Sequence, residues 1–163
     1  YMGSDAIKPF LDQCVARNKS AFVLAKTSNP SSVELQDMVA GDRVVYTVMG
    51  DLIERWGKDT AGKYGYNALG AVVGATHPSV LKELRRRLEH TFFLVPGYGA
   101  QGGTAADVRC AFDELGRGAI VNASRSIMCA WKKTGKDGMD YQEAARAAAE
   151  QMRDELREYI TIL

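Results

Sequence analysis

Four short apolar segments recur along the chain, and none of them alternates polar with apolar positions. They lie at 21–26, 70–75, 92–97 and 118–123. Continuous apolar runs of this length are typical of parallel strands covered on both faces, whereas a strand with one solvated face alternates. The pattern therefore predicts four buried strands in a parallel sheet.

The segments around these strands have the periodicity of amphipathic helices. Helices are predicted over 5–20, 31–59, 79–90, 105–115 and 139–163. Ser4 or Asp5 is expected to cap the first helix, because both side chains can accept a hydrogen bond from a backbone amide. The second segment is read as one long helix or two broken ones, interrupted near Gly41.

A helix followed by four strand–helix units favours a parallel α/β sheet with right-handed crossovers. Two architectures fit this order: an open doubly wound sheet, or part of a (β/α)8 TIM barrel. The 163 residues are interpreted as a single domain, 1–163. A closed barrel typically needs about 250 residues, so only part of a barrel would be present.

The composition of the chain argues against several classes of function. Lys and Arg number 21 against 20 Asp and Glu, with no basic block, which argues against nucleic-acid binding. No apolar stretch approaches the roughly 18 residues of a membrane span, so no membrane partner is expected. The three cysteines are far apart and are interpreted as reduced thiols, which predicts a cytoplasmic protein.

A glycine-rich loop follows the third predicted strand. Its glycines are Gly97, Gly99, Gly102 and Gly103, and Thr104 can cap the helix that begins at Ala105. Glycine lets backbone amides approach a ligand without a Cβ in the way, so the loop is a candidate anion cradle. Glycines at a helix entry can also serve conformation alone.

The last predicted strand runs into Ser124, Arg125 and Ser126. In (β/α)8 barrels a phosphate is frequently held between the loops after strands seven and eight and a short extra helix. An arginine at this position would add a bidentate charged group to the backbone amides. We therefore predict a phosphate site formed by the glycine loop and Arg125, the alternative being a solvent-exposed arginine on a helix turn.

Other candidate chemistry is sparse. His77 precedes a proline at a strand end and could touch a ligand, although a surface loop histidine is the simpler interpretation. The histidines and cysteines lack the spacing of a metal site, and no dinucleotide fingerprint or nucleophile motif is present. No metal is therefore predicted, and no acid, base or nucleophile stands beside the candidate cradle.

Four strings carry a resemblance to a known family: KTSNPSSVELQ (26–36), GAVVGATHPSVLKELR (70–85), FFLVPGYGAQGGTAADV (92–108) and AIVNASRSI (119–127). They resemble the carboxyl-terminal half of orotidine 5′-phosphate decarboxylases, particularly the second bacterial type, in register from Tyr1 to about Trp131. The resemblance implies strands five to eight of a (β/α)8 barrel plus a carboxyl-terminal helix. It also implies a homodimer with its active site at the strand carboxyl ends and across the subunit contact.

The implied reaction is removal of CO2 from orotidine 5′-monophosphate (OMP) to give uridine 5′-monophosphate (UMP) in pyrimidine biosynthesis, without metal or organic cofactor. Carried over by residue, the resemblance assigns substrate contacts to Ser28, Pro96, Gln101, Ser124 and Arg125. Ser28 would contact the pyrimidine and Pro96 would shape the wall beside it. Gln101 would bridge base and phosphate, while Ser124 and Arg125 would grip the phosphate, with the glycine loop as a lid.

One element of the family pattern is absent from this sequence. The family's catalytic lysine and aspartates follow an Asp-x-Lys-x-x-Asp pattern, and the nearest string, GKDTAGK at 57–63, has the wrong spacing. No catalytic residue is therefore assigned here, and that network is expected upstream of Tyr1. The alternatives are a non-catalytic phosphate-binding half barrel or a related sugar-phosphate barrel enzyme.

Overall fold

The computed structural model describes residues 3–161. Its helices are α1 (Ser4–Ala16), α2 (Val33–Gln36), α3 (Val45–Gly57), α4 (Pro78–Arg87), α5 (Ala105–Val108), α6 (Arg125–Met128) and α7 (Tyr141–Arg157). Its strands are β1 (Ala21–Lys26), β2 (Val39–Ala40), β3 (Arg43–Val44), β4 (Leu69–Val73), β5 (Phe93–Pro96) and β6 (Ala119–Asn122). Short 3-10 turns lie at Pro30–Ser32, Arg109–Ala111 and Ala130–Lys133.

The four predicted strands are confirmed as β1, β4, β5 and β6, which form one parallel sheet in that order. Each strand lies beside the one that precedes it in this series. The order never reverses as it does in a doubly wound sheet, so the doubly wound alternative is wrong. The sheet is half of a (β/α)8 barrel, with four strands and no closure among the described residues.

The hydrophobic core lies between one face of this sheet and the helices. Fully buried side chains from strands and helices meet there, among them Ile53, Leu69, Val73, Leu81, Leu84, Leu88, Phe93, Val95 and Val108. On the opposite face Phe22, Leu24 and Ile120 are 40%, 51% and 53% exposed. The prediction that both faces are covered is therefore wrong for β1 and β6 in this structure. In a closed barrel that second face points inward, which explains why the sequence reads as fully buried.

The open face forms an apolar hollow of about 910 Å³, lined by Phe22, Phe92, Leu94 and Ile120 among others. Ser20 and Gly118 also line it, and these residues immediately precede β1 and β6. The hollow therefore lies toward the amino ends of the strands. Ligands of parallel barrels bind at the carboxyl ends, so this hollow is not the candidate site.

The helical segments were predicted less well than the strands. Gly3, not Ser4 or Asp5, occupies the position before α1, and no side-chain cap is present there, so the predicted cap is wrong. The interruption near Gly41 is confirmed, but it takes the form of a β2–β3 hairpin that the sequence pattern did not indicate. Within residues 3–161, no helix is both long and apolar enough to span a membrane.

The helix predicted over 105–115 ends early because Asp113 stabilises a turn. Its Oδ1 accepts hydrogen bonds from the backbone amides of Leu115 and Arg117, at 2.9 and 2.7 Å. Its Oδ2 accepts one from the Tyr66 hydroxyl at 2.5 Å. Burial acts to raise the pKa of the Asp113 carboxyl, but these hydrogen bonds together outweigh it and hold that pKa below its ordinary value.

This arrangement predicts a pH-dependent contribution to stability. Because the pKa of Asp113 is lower in the folded state, its contribution is full above the unfolded pKa and is lost as pH falls through the folded pKa. Asp113→Asn should therefore lower the free energy of unfolding by about 1 kcal/mol at neutral pH, and the difference should shrink below about pH 4. Urea denaturation at neutral pH and below about pH 4 measures the difference in the free energy of unfolding, with the exposed Asp42→Asn as control. A difference that is equal at both pH values would contradict the prediction.

Candidate functional site

The carboxyl ends of the four parallel strands meet along one edge of the sheet. Ser28 follows β1, Gln101 follows β5, and Ser124 and Arg125 follow β6. Pro96 is the last residue of β5 and pairs with Asn122 of β6. Polar side chains delivered by successive strand ends are the usual origin of a binding site in parallel α/β proteins.

Ser28 and Gln101 both approach Gly97. A Cβ built on Gly97 would lie 2.9 Å from Gln101 Oε1 and 2.9 Å from Ser28 Cβ. Gly74, which follows β4, is equally close, since a Cβ there would lie 2.7 Å from Ser28 Cα. The two glycines therefore allow the turn after β1 to sit directly against the ends of β4 and β5.

The glycine loop is a compact turn stabilised by its own backbone. Gly97, Gly99 and Gly102 have φ values of 99°, 73° and 98°, in the region that favours glycine. The amides of Gly99, Gly102 and Gly103 donate to the carbonyls of Gly103, Gly99 and Gly97 at 2.8, 2.9 and 3.2 Å. Because these three amides are used within the loop, they are not free to form the predicted anion cradle in this conformation.

Thr104 caps the helix after the loop, as predicted. Asp107 N donates to Thr104 Oγ1 at 3.3 Å, and Asp107 Oδ2 accepts from Thr104 N at 2.9 Å, which is a reciprocal capping box. Tyr98, inside the loop, is buried and donates its hydroxyl to the Glu155 carboxylate of α7. That hydrogen bond lowers the pKa of Glu155, while burial, followed by the same bond, raises the pKa of Tyr98. The loop is thus attached to the last helix of the described chain.

The last strand end lies against the glycine loop. A Cβ built on Gly99 would lie 3.1 Å from Ser126 Oγ. Arg125, the neighbour of Ser126, is exposed and makes no ion pair or side-chain hydrogen bond with any of residues 3–161. This contact places the glycine loop and the Arg125 segment, which together form the predicted phosphate site, side by side at the carboxyl ends of the strands, an edge called the rim below. The Arg125 guanidinium remains available to bind a ligand.

Pro96 occupies the face of β5 that is opposite the core. Phe93 and Val95 of this strand are fully buried, while Leu94 and Pro96 alternate with them and are half-buried. Pro96 therefore lies on the open face at its carboxyl end, close in sequence to the glycine loop. This position is compatible with the wall role that the resemblance assigns to it.

His77 is less exposed than a surface loop residue would be. Its ring is half-buried, and its Nε2 is buried without a hydrogen-bond partner among the described residues. Burial, and then the charge of Lys26, lower the pKa of this imidazole. Across residues 3–161 no three His, Cys, Asp or Glu side chains are arranged to hold a metal ion.

Three polar residues beside the site were not singled out from the sequence. Lys26, at the end of β1, is only 1% exposed, and its Nζ donates to Asp37 Oδ1 at 2.6 Å. Gln36 is buried, and its Oε1 accepts from the Thr27 amide at 2.9 Å. The signal in the sequence that could have pointed to them was Lys26, a charged residue at the end of an otherwise apolar strand.

Known proteins are similar to this chain over most of its length. The model of the "Orotidine 5'-phosphate decarboxylase / HUMPS family" matches residues 1–155. An orotidine 5′-phosphate decarboxylase of Rhodopirellula baltica is 44% identical over 161 residues, covering 96% of this chain and 53% of that protein. One from Clostridium perfringens SM101 is 45% identical, covering 98% of this chain and 55% of that protein.

Solved structures agree with these relatives. The Leishmania donovani OMP decarboxylase superposes with a TM-score of 0.73 at 32% identity, covering 96% of this chain and 54% of that one. The Leishmania donovani UMP synthase superposes with a TM-score of 0.75 at 36% identity, covering 96% of this chain and 32% of that one. The chain spans about half the length of the curated relatives it matches. By sequence and by fold, the chain belongs to the orotidine 5′-phosphate decarboxylase / HUMPS family.

Proposed function

We propose that this chain supplies the pyrimidine and phosphate contacts of an enzyme that decarboxylates OMP to UMP in pyrimidine biosynthesis. The observation that carries the proposal is the convergence of the ends of β1 and β6 on the glycine loop that follows β5. Ser28 and Gln101 meet at Gly97, and Ser126, next to Arg125, meets the same loop at Gly99. A ligand with a polar ring at one end and a phosphate at the other suits this set of groups, with uncharged polar side chains on one side of the loop and an arginine on the other.

In the proposed complex, one group of rim residues contacts the base and another binds the phosphate. Ser28 contacts the pyrimidine beside the wall formed by Pro96, and Gln101 lies between base and phosphate. Arg125 and the neighbouring Ser124 bind the phosphate, because a planar guanidinium matches phosphate oxygens bidentately. The glycine loop closes over the ligand, so phosphate binding energy excludes water and is used at the reacting centre.

The chain's own residues account for binding and not for proton transfer. Decarboxylation requires a protonated lysine facing the carbanion that forms when CO2 leaves, with carboxylates that orient the ammonium. Lys26 does not fit this role, since its Nζ is paired with Asp37 and lies 6.0 Å from the centre of the Tyr46 ring on α3, on the core side of the sheet. We propose that protein outside these 163 residues contributes the lysine and aspartates, and that neither metal nor organic cofactor is involved.

A cytoplasmic homodimer is part of the same proposal. The segment that follows Ser28 exposes four large apolar side chains, Val33, Leu35, Met38 and Val39, to 51%, 53%, 54% and 67%. Apolar residues concentrated in this way on a surface are typical of a protein interface. Their position next to the rim supports a subunit contact that adjoins the site.

Nucleotide titration of the chain tests the binding part of the proposal. UMP should bind more tightly than either uridine or ribose 5-phosphate, since only UMP engages both groups of rim residues. Isothermal titration calorimetry with the three ligands measures the differences. A folded chain that shows no affinity for UMP would contradict the proposal.

A chimera tests the reaction. The part of the Clostridium perfringens SM101 relative that this chain does not match is joined to residues 1–163, and OMP consumption is followed by absorbance. Turnover of OMP is expected. A chimera that binds UMP but leaves OMP intact would favour a non-catalytic phosphate-binding half barrel, and selective turnover of another sugar phosphate would favour a related barrel enzyme.

A further inference from the structure

A buried ammonium, paired with a partly exposed carboxylate, lies two residues before Ser28, the proposed pyrimidine contact. Lys26 is 1% exposed, and its partner Asp37, at 2.6 Å, has a side chain that is 40% exposed. Burying an ammonium is strongly unfavourable unless a partner compensates, so such a pair constrains the groups around it. The pair joins the last residue of β1 to the residue that follows α2.

The strand changes register at this position. Leu24 pairs with Val72 and Lys26 pairs with Val73, so β1 has one more residue than β4 over this step. An extra residue of this kind bends a strand and redirects the side chains after it, and such irregularities are frequent next to active sites. The shift places Lys26 on the core side, near Tyr46, and turns the chain into Thr27 and Ser28.

The two residues after Lys26 are also held by side chains. Gln36 Oε1 accepts from Thr27 N at 2.9 Å, and Gln36 Nε2 donates to Thr27 Oγ1 at 2.9 Å. Thr76 Oγ1 donates to the Ser28 carbonyl at 3.2 Å. Because Gln36 and Asp37 are adjacent, the same short element holds both Lys26 and Thr27. Asp37, Gln36 and Thr76 thus hold the three consecutive residues that end at Ser28.

We infer that Lys26 is a positioning residue for pyrimidine recognition: with Asp37 it secures α2 against the end of β1 and so places Ser28 opposite Gln101. The inference rests on the proposed function, in which Ser28 contacts the base. Lys26 itself touches neither base nor phosphate, because its ammonium is directed toward Asp37 on the core side. Its loss should therefore weaken recognition of the base and leave recognition of the phosphate unchanged.

The experiment compares two ligands on the 163-residue chain by NMR titration. UMP carries both base and phosphate, and ribose 5-phosphate carries the phosphate without the base. Lys26→Met should weaken UMP binding roughly tenfold, as expected for loss of about one well-placed hydrogen bond, and leave ribose 5-phosphate binding unchanged. Lys26→Arg keeps the charge and should restore most of the UMP affinity. The exposed Lys82→Met is the matched control.

Each result separates one explanation from another. Equal weakening of both ligands would show a general structural role and overturn the inference, as would unchanged UMP binding. If Lys26→Met does not fold, Lys26→Gln, which removes the buried charge but can still donate a hydrogen bond to Asp37, carries the same expectation of selective UMP loss. A folded wild-type chain without affinity for UMP overturns the proposed function and this inference together, whereas normal wild-type binding with unaffected variants overturns this inference alone.

Discussion

Replacing Arg125 with alanine is expected to weaken UMP binding by about two powers of ten, from the loss of charge-assisted phosphate contacts of roughly 3 kcal/mol. The guanidinium is exposed, has no protein partner among residues 3–161, and adjoins the glycine loop through Ser126. In a catalytically active chimera the same substitution should lower kcat/KM by a similar factor. Calorimetric titration and OMP turnover are the two measurements.

Matched variants sharpen this test. Arg86→Ala removes an exposed arginine from α4 and should leave UMP affinity unchanged. Arg125→Lys keeps the charge but loses the planar fork, so it should recover only part of the affinity. An Arg125→Ala variant with wild-type affinity would remove Arg125 from the site.

Gly97→Ala is expected to reduce both stability and nucleotide affinity. Its φ of 99° is rarely adopted by alanine, and its Cβ would lie 2.9 Å from both Ser28 Cβ and Gln101 Oε1. The strained backbone should cost about 1–3 kcal/mol in the free energy of unfolding. Because the new methyl would also lie between Ser28 and Gln101, the two residues proposed to face the base, UMP binding should fall by at least about tenfold.

Gly102→Ala distinguishes the two effects. Its φ of 98° is almost the same, but nothing lies within 4 Å of a Cβ built there. This variant should show a similar loss in urea denaturation while keeping most of its UMP affinity. Equal loss of affinity in both variants would mean that the loop's conformation, and not the placement of Ser28 and Gln101 around Gly97, determines binding.

The sheet could be predicted from sequence because its signal is local. Each strand lies in a mostly apolar run, and glycine or proline, which do not extend a sheet easily, ends two of the four strands, at Gly74 after β4 and at Pro96 of β5. The β2–β3 hairpin was not predictable in the same way, since Val39 and Val44 pair across Gly41 over too short a span to show alternation. The early end of the helix after the glycine loop depends on the Tyr66 hydroxyl, which is distant in sequence.

The convergence of the candidate site residues at one edge could be predicted for a related reason. Ser28, Gln101 and Arg125 each follow a strand, and parallel strands necessarily bring their carboxyl ends to one edge. Which backbone amides remain free could not be read from the glycine pattern, because Gly99, Gly102 and Gly103 satisfy one another. The inferred role of Lys26 depends on a register shift in β1 and on the packing of the residue after α2 against the end of β1. The pattern of apolar residues indicates neither feature.

The hydrogen bond between Tyr98 and Glu155 has a practical consequence for handling this protein. The four sequence strings that resemble the family end at Ile127, which would make the tail look dispensable when a shorter version is designed, although the family model extends to residue 155. Removing α7 would leave the buried Tyr98 hydroxyl without its carboxylate and loosen the loop beside the proposed nucleotide site. Truncations and tags are therefore better placed beyond Arg157. Weak UMP binding by a variant that lacks α7 would not show that the rim residues themselves fail to bind.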